Sequence, residues 1–250
     1  MIEIRNLHKS FGSQTVLDGV TLTIEKGKTI AIVGPSGTGK SVLLKIITGL
    51  LEADSGSVEV DGESMTGAKT EGERRRICRR MGVLFQAAAL FDSINLLDNV
   101  AFPLRYRKLC SERDIVDRSV KCLHDVGLEG YELALPGEVS IGMRKRVGIA
   151  RALVTDPDVL LFDEPNTGLD PETGQEIYEL INATQKRCGF TGIVVSHEIP
   201  EVFQVCDRVA MLYRGLVQEE GTIEQFLASG NNVVQQFIRG EVEGPLELNY

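Results

Sequence analysis

Gly34, Pro35, Ser36, Gly37, Thr38, Gly39, Lys40 and Ser41 fit the pattern G-x-x-x-x-G-K-[ST], between an apolar run and a helical one that continues through Val42. Glycines let successive backbone N–H groups turn toward one anion, and the following helix N-terminus adds positive potential. Lys40 is then placed to reach outer phosphates and Ser41 to ligate Mg2+. A second run, Val159–Phe162, ends in Asp163 and Glu164. Strand ends in parallel sheets open onto the ligand crevice, so Asp163 is placed to hold Mg2+ and Glu164 to polarise an attacking water. A third run, Ile193–Ser196, ends at His197. Taken alone, that histidine is either structural or a partner of the γ-phosphate.

Elements must bring these three segments together. Ile2–Leu7 and Val20–Ile24 alternate as half-buried antiparallel strands do. Lys28–Val33, Met81–Phe85, Val159–Phe162, Gly192–Val195 and Val209–Leu212 are nearly continuous apolar runs, expected of strands buried on both faces. Ser57–Val60 reads as a further small strand. Helical spacing covers Lys40–Thr48, Arg74–Arg80, Arg113–Val126, Met143–Leu153 and Glu172–Arg187, and residues from about 86 to 155 are mostly helical. Thr222 and Gln225 have capping-box spacing. Strand–helix alternation on both sides of a helical block predicts a parallel α/β sheet with a helical insertion. Beyond Gly240 the glycine and proline of the tail disfavour regular structure.

Composition narrows the function. The chain has 250 residues, 42% hydrophobic, with 27 Lys plus Arg against 36 Asp plus Glu, a formal charge of −9. That balance argues against nucleic acid as partner. No apolar run approaches the roughly 18 residues that span a bilayer, and the start does not resemble a signal peptide. The five cysteines are scattered without metal spacing, as reduced thiols are. No Asn-Lys-x-Asp guanine-reading motif occurs.

The order of glycine loop, Gln86, Ser140 segment, Asp163-Glu164, Asn166–Asp170 and His197 resembles the ATP-binding subunit of an ABC transporter over essentially the whole chain. The resemblance implies a P-loop NTPase (RecA-like) α/β core with an antiparallel β subdomain and a helical subdomain at about 87–155. Residues 1–240 would form one ATP-binding domain and 241–250 a tail. It implies ATP and Mg2+ as cofactors, a homodimer, and an integral membrane permease at the cytoplasmic face of an inner membrane. Phe11 matches the aromatic that stacks on adenine, with a core aromatic as the alternative. Gln86 matches the residue sensing Mg2+ and the permease, and Ser41, Gln86 and Asp163 the metal site. Glu164, His197 and Gln86 match the catalytic set, and Asp170 the loop crossing the dimer interface. Ser140, Ile141, Gly142 and Met143 replace the usual Ser-Gly-Gly-Gln signature that meets the other subunit's ATP. A left-handed backbone at Ile141 would cost about 1–2 kcal/mol. Either position 141 does not need φ > 0 or the loop is remodelled.

Phe85–Phe91 with Asn95–Arg105, and the tail from Val234 to Tyr250, resemble the Mla-type ATPases, which energise phospholipid or other lipid movement with MCE-domain partners. That resemblance leaves room for a small cytoplasmic regulatory subunit. An ABC ATPase for a polar solute and a non-transport ABC protein are the alternatives. Arg74–Arg76 with Arg79 and Arg80 either face anionic headgroups or form a solvated face. Phe237, Leu246, Leu248 and Tyr250 either wrap a neighbouring subunit or pack on their own domain.

Overall fold

The computed structural model describes residues 1–108 and 110–247. β1 (Ile2–Phe11) and β2 (Gln14–Ile24) form a hairpin, longer at its tip than the alternation suggested. With β4 (Ser55–Val60) and β5 (Glu63–Ser64) they make an antiparallel sheet of order β2-β1-β4-β5. The second sheet contains β3 (Thr29–Val33), β6 (Met81–Leu84), β7 (Val159–Asp163), β8 (Thr191–Ser196), β9 (Arg208–Tyr213) and β10 (Leu216–Thr222). Its order is β10-β9-β3-β8-β7-β6; β10 alone pairs antiparallel, at one edge.

Strand side chains alternate between faces, so each buried strand feeds two cores. Ile30, Ile32, Leu161, Ile193 and Val195 join Ile2, Leu17 and Val58 of the antiparallel sheet, with Leu43 and Ile47 of α1 (Lys40–Ile47) between them. Ala31, Val33, Leu160, Phe162 and Val194 face the other way, toward a helical layer. That layer is built from α3 (Leu96–Arg107), α4 (Glu112–Asp125), α5 (Ile141–Leu153), α6 (Pro171–Cys188), α7 (Ile223–Leu227) and α8 (Asn232–Arg239).

Several boundaries differ from the sequence reading. α2 spans Glu71–Cys78 rather than Arg74–Arg80, because Thr70 and Glu73 form a reciprocal capping box. The expected helical block begins only at Leu96; residues 86–89 form turns first. α5 starts two residues before Met143, since the Ser140 hydroxyl caps it by accepting from the Met143 N–H at 3.2 Å. The Thr222 capping box stands as expected, opening α7. Four of the five arginines in the cluster are ion-paired: Arg74, Arg75 and Arg76 meet Glu52, Glu71 and Glu63, and Arg80 meets Asp61 and Asp158.

Asn99, fully buried, fixes the segment before α3. Its side-chain oxygen accepts from Phe91 N at 2.8 Å and its amide donates to the Phe91 and Ile94 carbonyls at 3.1 Å. The tail to Glu247 packs on its own chain. Gln236 accepts from Leu246 N at 2.6 Å and donates to the Leu246 and Glu241 carbonyls, and Leu246 is buried. Leu248 and Tyr250 lie outside the described residues. No helix among the described residues is long and apolar enough to cross a membrane.

Candidate functional site

β3, β7 and β8 are parallel neighbours, so their C-terminal ends deliver Gly34, Asp163 and Ser196 to one edge of the sheet. The glycine loop leaves β3 there. Gly34 has φ +144°, and a Cβ on it would lie 2.2 Å from the Leu212 carbonyl oxygen. Gly39 has φ +98° at the start of α1, and its Cβ would meet Val16 at 2.8 Å. Both positions therefore exclude a side chain. Lys40 is 4% exposed, and its ammonium donates to the carbonyls of Gly34 and Pro35, each at 2.7 Å. Burial lowers its pKa to about 8, against the opposing pull of Glu164 and Asp163.

Ser41 donates to Asp163 at 2.9 Å, joining the first turn of α1 to the end of β7. Burial pushes the Asp163 carboxyl up, and the adjacent Glu164 charge adds to that, while the Ser41 bond opposes it. Glu164 follows in the left-handed region, φ +49°, with its N–H bonded to the Val195 carbonyl at 3.0 Å. Such a backbone in a residue with a side chain costs about 1–3 kcal/mol and concentrates at functional sites. Its carboxylate accepts from the Gln86 amide at 2.9 Å and from the Thr167 hydroxyl at 3.0 Å; His197 Nδ1 lies 3.3 Å away. Gln86 and His197, both distant in sequence, thus converge with the nearby Thr167 on one carboxylate.

A cleft of about 440 Å3 at the loop is lined by Phe11, Val16, Lys40, Ser41, Gln86 and Glu164. Phe11 is 48% exposed at the hairpin tip, which excludes the core-aromatic alternative and leaves its ring open to the cleft. Pro35, Thr38 and His197 line a second cleft, which shares Ser36 and Gly37 with the first. Serine and carboxylate oxygens with a neighbouring amide are a hard donor set, which suits Mg2+.

Ser140, Ile141, Gly142 and Met143 do not line the glycine-loop cleft; nor does Asp170. They adjoin each other instead. Asp170 caps α6 by accepting from Thr173 N at 3.0 Å, and a Cβ on Gly142 would lie 2.6 Å from the Thr173 methyl. Ile141 is the first residue of α5, in right-handed helix and 48% exposed, so the feared strain does not arise.

Sequence reasoning missed Val16, Thr167 and Lys145. Lys145 carried a usable signal: it stands three residues after Gly142 and four before Ile149, on the buried stripe of α5.

Comparison with known proteins settles the family. The ABC transporter family matches residues 17–167 of this chain. The chain belongs to the ABC transporter family. It is an ATP-binding, ATP-hydrolysing cassette. The cassette is 40% identical, over its whole length and 94% of the relative's, to the intermembrane phospholipid transport system ATP-binding protein MlaF of Haemophilus influenzae. It is 39% identical to TRIGALACTOSYLDIACYLGLYCEROL 3, chloroplastic, of Arabidopsis thaliana, over 98% of this chain and 75% of that one. It is also 44% identical to the probable ribonucleotide transport ATP-binding protein mkl of Mycobacterium tuberculosis, over 99% of this chain and 69% of that one. Among solved structures, the dimeric post-hydrolysis cassette MJ0796 bound to ADP and Pi superposes with a TM-score of 0.81. That match has 32% identity and covers 89% of this chain and 99% of that one.

Proposed function

We propose that this cassette powers phospholipid or other lipid transport as a homodimer, peripheral to an integral membrane permease on the cytoplasmic face of an inner membrane. The observation that carries the cargo is the match to MlaF, end to end in this chain and over 94% of the relative. An MCE-domain lipid-binding protein and a small cytoplasmic regulatory subunit complete the system in this reading. Residues 1–240 form the cassette, 87–155 its helical part, and 241–250 its tail.

Each residue has a role. Phe11 stacks on adenine beside Val42. Gly34, Pro35, Ser36, Gly37, Thr38 and Gly39 turn main-chain N–H groups toward the phosphates, and Lys40 neutralises them. Ser41, Asp163 and Gln86 would hold Mg2+, which when bound would offset phosphate charge. Glu164 accepts the proton of the attacking water, with Gln86 and His197 fixing its carboxylate. Ser140 and Gly142, at the N-terminus of α5, meet the nucleotide of the partner subunit; Ile141 and Met143 flank them, and Asp170 crosses the interface. ATP joins the two subunits and hydrolysis releases them, so the permease meets two shapes.

An exposed aromatic ladder supports the permease contact. Phe91 and Phe102 meet in a tilted pair with ring centroids 4.7 Å apart, and Phe102 and Tyr106 stack at 6.3 Å, in the segment that leads away from Gln86. Phe102 is 43% exposed and Tyr106 74%. Solvated aromatics so grouped are the residues that anchor interfaces. Phe102→Asp with Tyr106→Asp is expected to reduce permease recovery about tenfold or more in detergent pull-downs, with ATP binding intact. Undiminished recovery would remove this docking surface. The names of the mycobacterial relatives point to a polar solute as alternative cargo, and lipid extraction from the purified complex separates the two.

A further inference from the structure

Lys145 is a cation in the buried stripe of α5. It is 2% exposed, and its ammonium forms no ion pair among the described residues. Both its partners are main-chain carbonyls: that of Gln86, and that of Glu164 at 3.2 Å. A buried ammonium is retained only where its hydrogen bonds offset the lost hydration. A methionine would fill the same space without that penalty. Here the bonds tie together the two loops whose side chains already meet, the Gln86 amide donating to the Glu164 carboxylate at 2.9 Å.

The same helix holds the Gln86 loop at a second point. Arg151 donates to the Ala89 carbonyl at 2.7 Å and to the Ala88 carbonyl. Ala88 and Ala89 both take left-handed backbones, φ +58° and +48°, a conformation that needs such outside support. Burial lowers the proton affinity of both cations, as expected for charges enclosed by protein. The N-terminal turn of α5 contains Ser140, Ile141 and Gly142, so one rigid helix touches the signature turn at its end and the loops of Gln86 and Glu164 along its flank.

We propose that Lys145 is a positioning residue for ATP hydrolysis: it fixes the main chains of Gln86 and Glu164 to α5 and thereby aims the Glu164 carboxylate. The inference rests on the reading of Glu164 as the proton acceptor. Lys145 touches no substrate atom in this scheme. Losing it displaces the base while the glycine loop, which binds the phosphates, keeps its own contacts.

The test is steady-state kinetics and nucleotide binding on the full-length chain carrying Lys145→Met, and separately Lys145→Gln, which keeps a donor in place. For Lys145→Met, kcat is expected to fall roughly 10- to 100-fold, the usual effect of a misplaced catalytic group. KM and the nucleotide-induced rise in Tm should stay within about twofold of the parent, and Lys145→Gln should recover part of the loss. Parent-like kcat in both variants, or kcat and nucleotide affinity falling together, would overturn the proposal. Failure of both variants to fold would also overturn it, by assigning Lys145 to stability alone. Glu164→Gln is measured alongside. If that variant turns over at the parent rate, the reading of the base fails; if it is inactive while both Lys145 variants are parent-like, only the present inference fails.

Discussion

Glu164→Gln should bind ATP as tightly as the parent chain and hydrolyse it at least about 100-fold more slowly, the contribution expected of a placed general base. The substitution is nearly isosteric. Its amide oxygen can still accept from the Thr167 hydroxyl, which donates to Glu164 at 3.0 Å, so the loop between β7 and α6 keeps its shape. What disappears is an oxygen that can take a proton from water. The phosphate-facing groups, Lys40 and the glycine loop, are untouched, so binding persists. With hydrolysis blocked, ATP should hold two subunits together, visible as a doubling of mass by light scattering on ATP addition. Turnover within tenfold of the parent would show that the proton goes elsewhere.

Lys40→Met should act on binding instead. The ammonium is enclosed, 4% exposed, and a methionine fills similar volume, so the apo fold is expected to be as stable as the parent. Charge-assisted hydrogen bonds contribute about 1.5–3 kcal/mol each. Losing one or two of them to phosphate oxygens weakens ATP binding roughly 100-fold. Titration with a fluorescent ATP analogue measures this, and thermal unfolding without nucleotide checks the fold. An affinity within threefold of the parent would contradict the place given to Lys40. The two variants therefore separate the site into a part that binds and a part that cleaves.

Local patterns make much of this site legible in the sequence. A glycine loop after a doubly buried strand has few backbone solutions, and Gly34 and Gly39 occupy positions where a Cβ would collide with Leu212 or Val16. The carboxylates after Val159–Phe162 were placed by strand direction alone. Other features depend on what lies opposite. Whether Phe11 is core or surface turns on the hairpin tip, which projects beyond the sheet. Whether Ile141 is strained turns on where α5 begins, and the Ser140 cap decides that. The Thr70 capping box, itself readable in the sequence, starts α2 three residues before the helical spacing of Arg74–Arg80 predicts. Lys145 could be suspected from its register in α5, but its partners are carbonyls 59 and 19 residues away, and main-chain partners leave no trace in sequence.

The central claim is that this cassette drives lipid through a permease. Full-length Glu164→Gln, tagged and held in its ATP-bound form, would be purified in mild detergent from native membranes, and its proteins and extracted lipids identified by mass spectrometry from one sample. A permease with an MCE-domain protein and enriched phospholipid is the predicted result. A solute-type permease, or no membrane partner, would contradict the lipid assignment and leave only the ATPase.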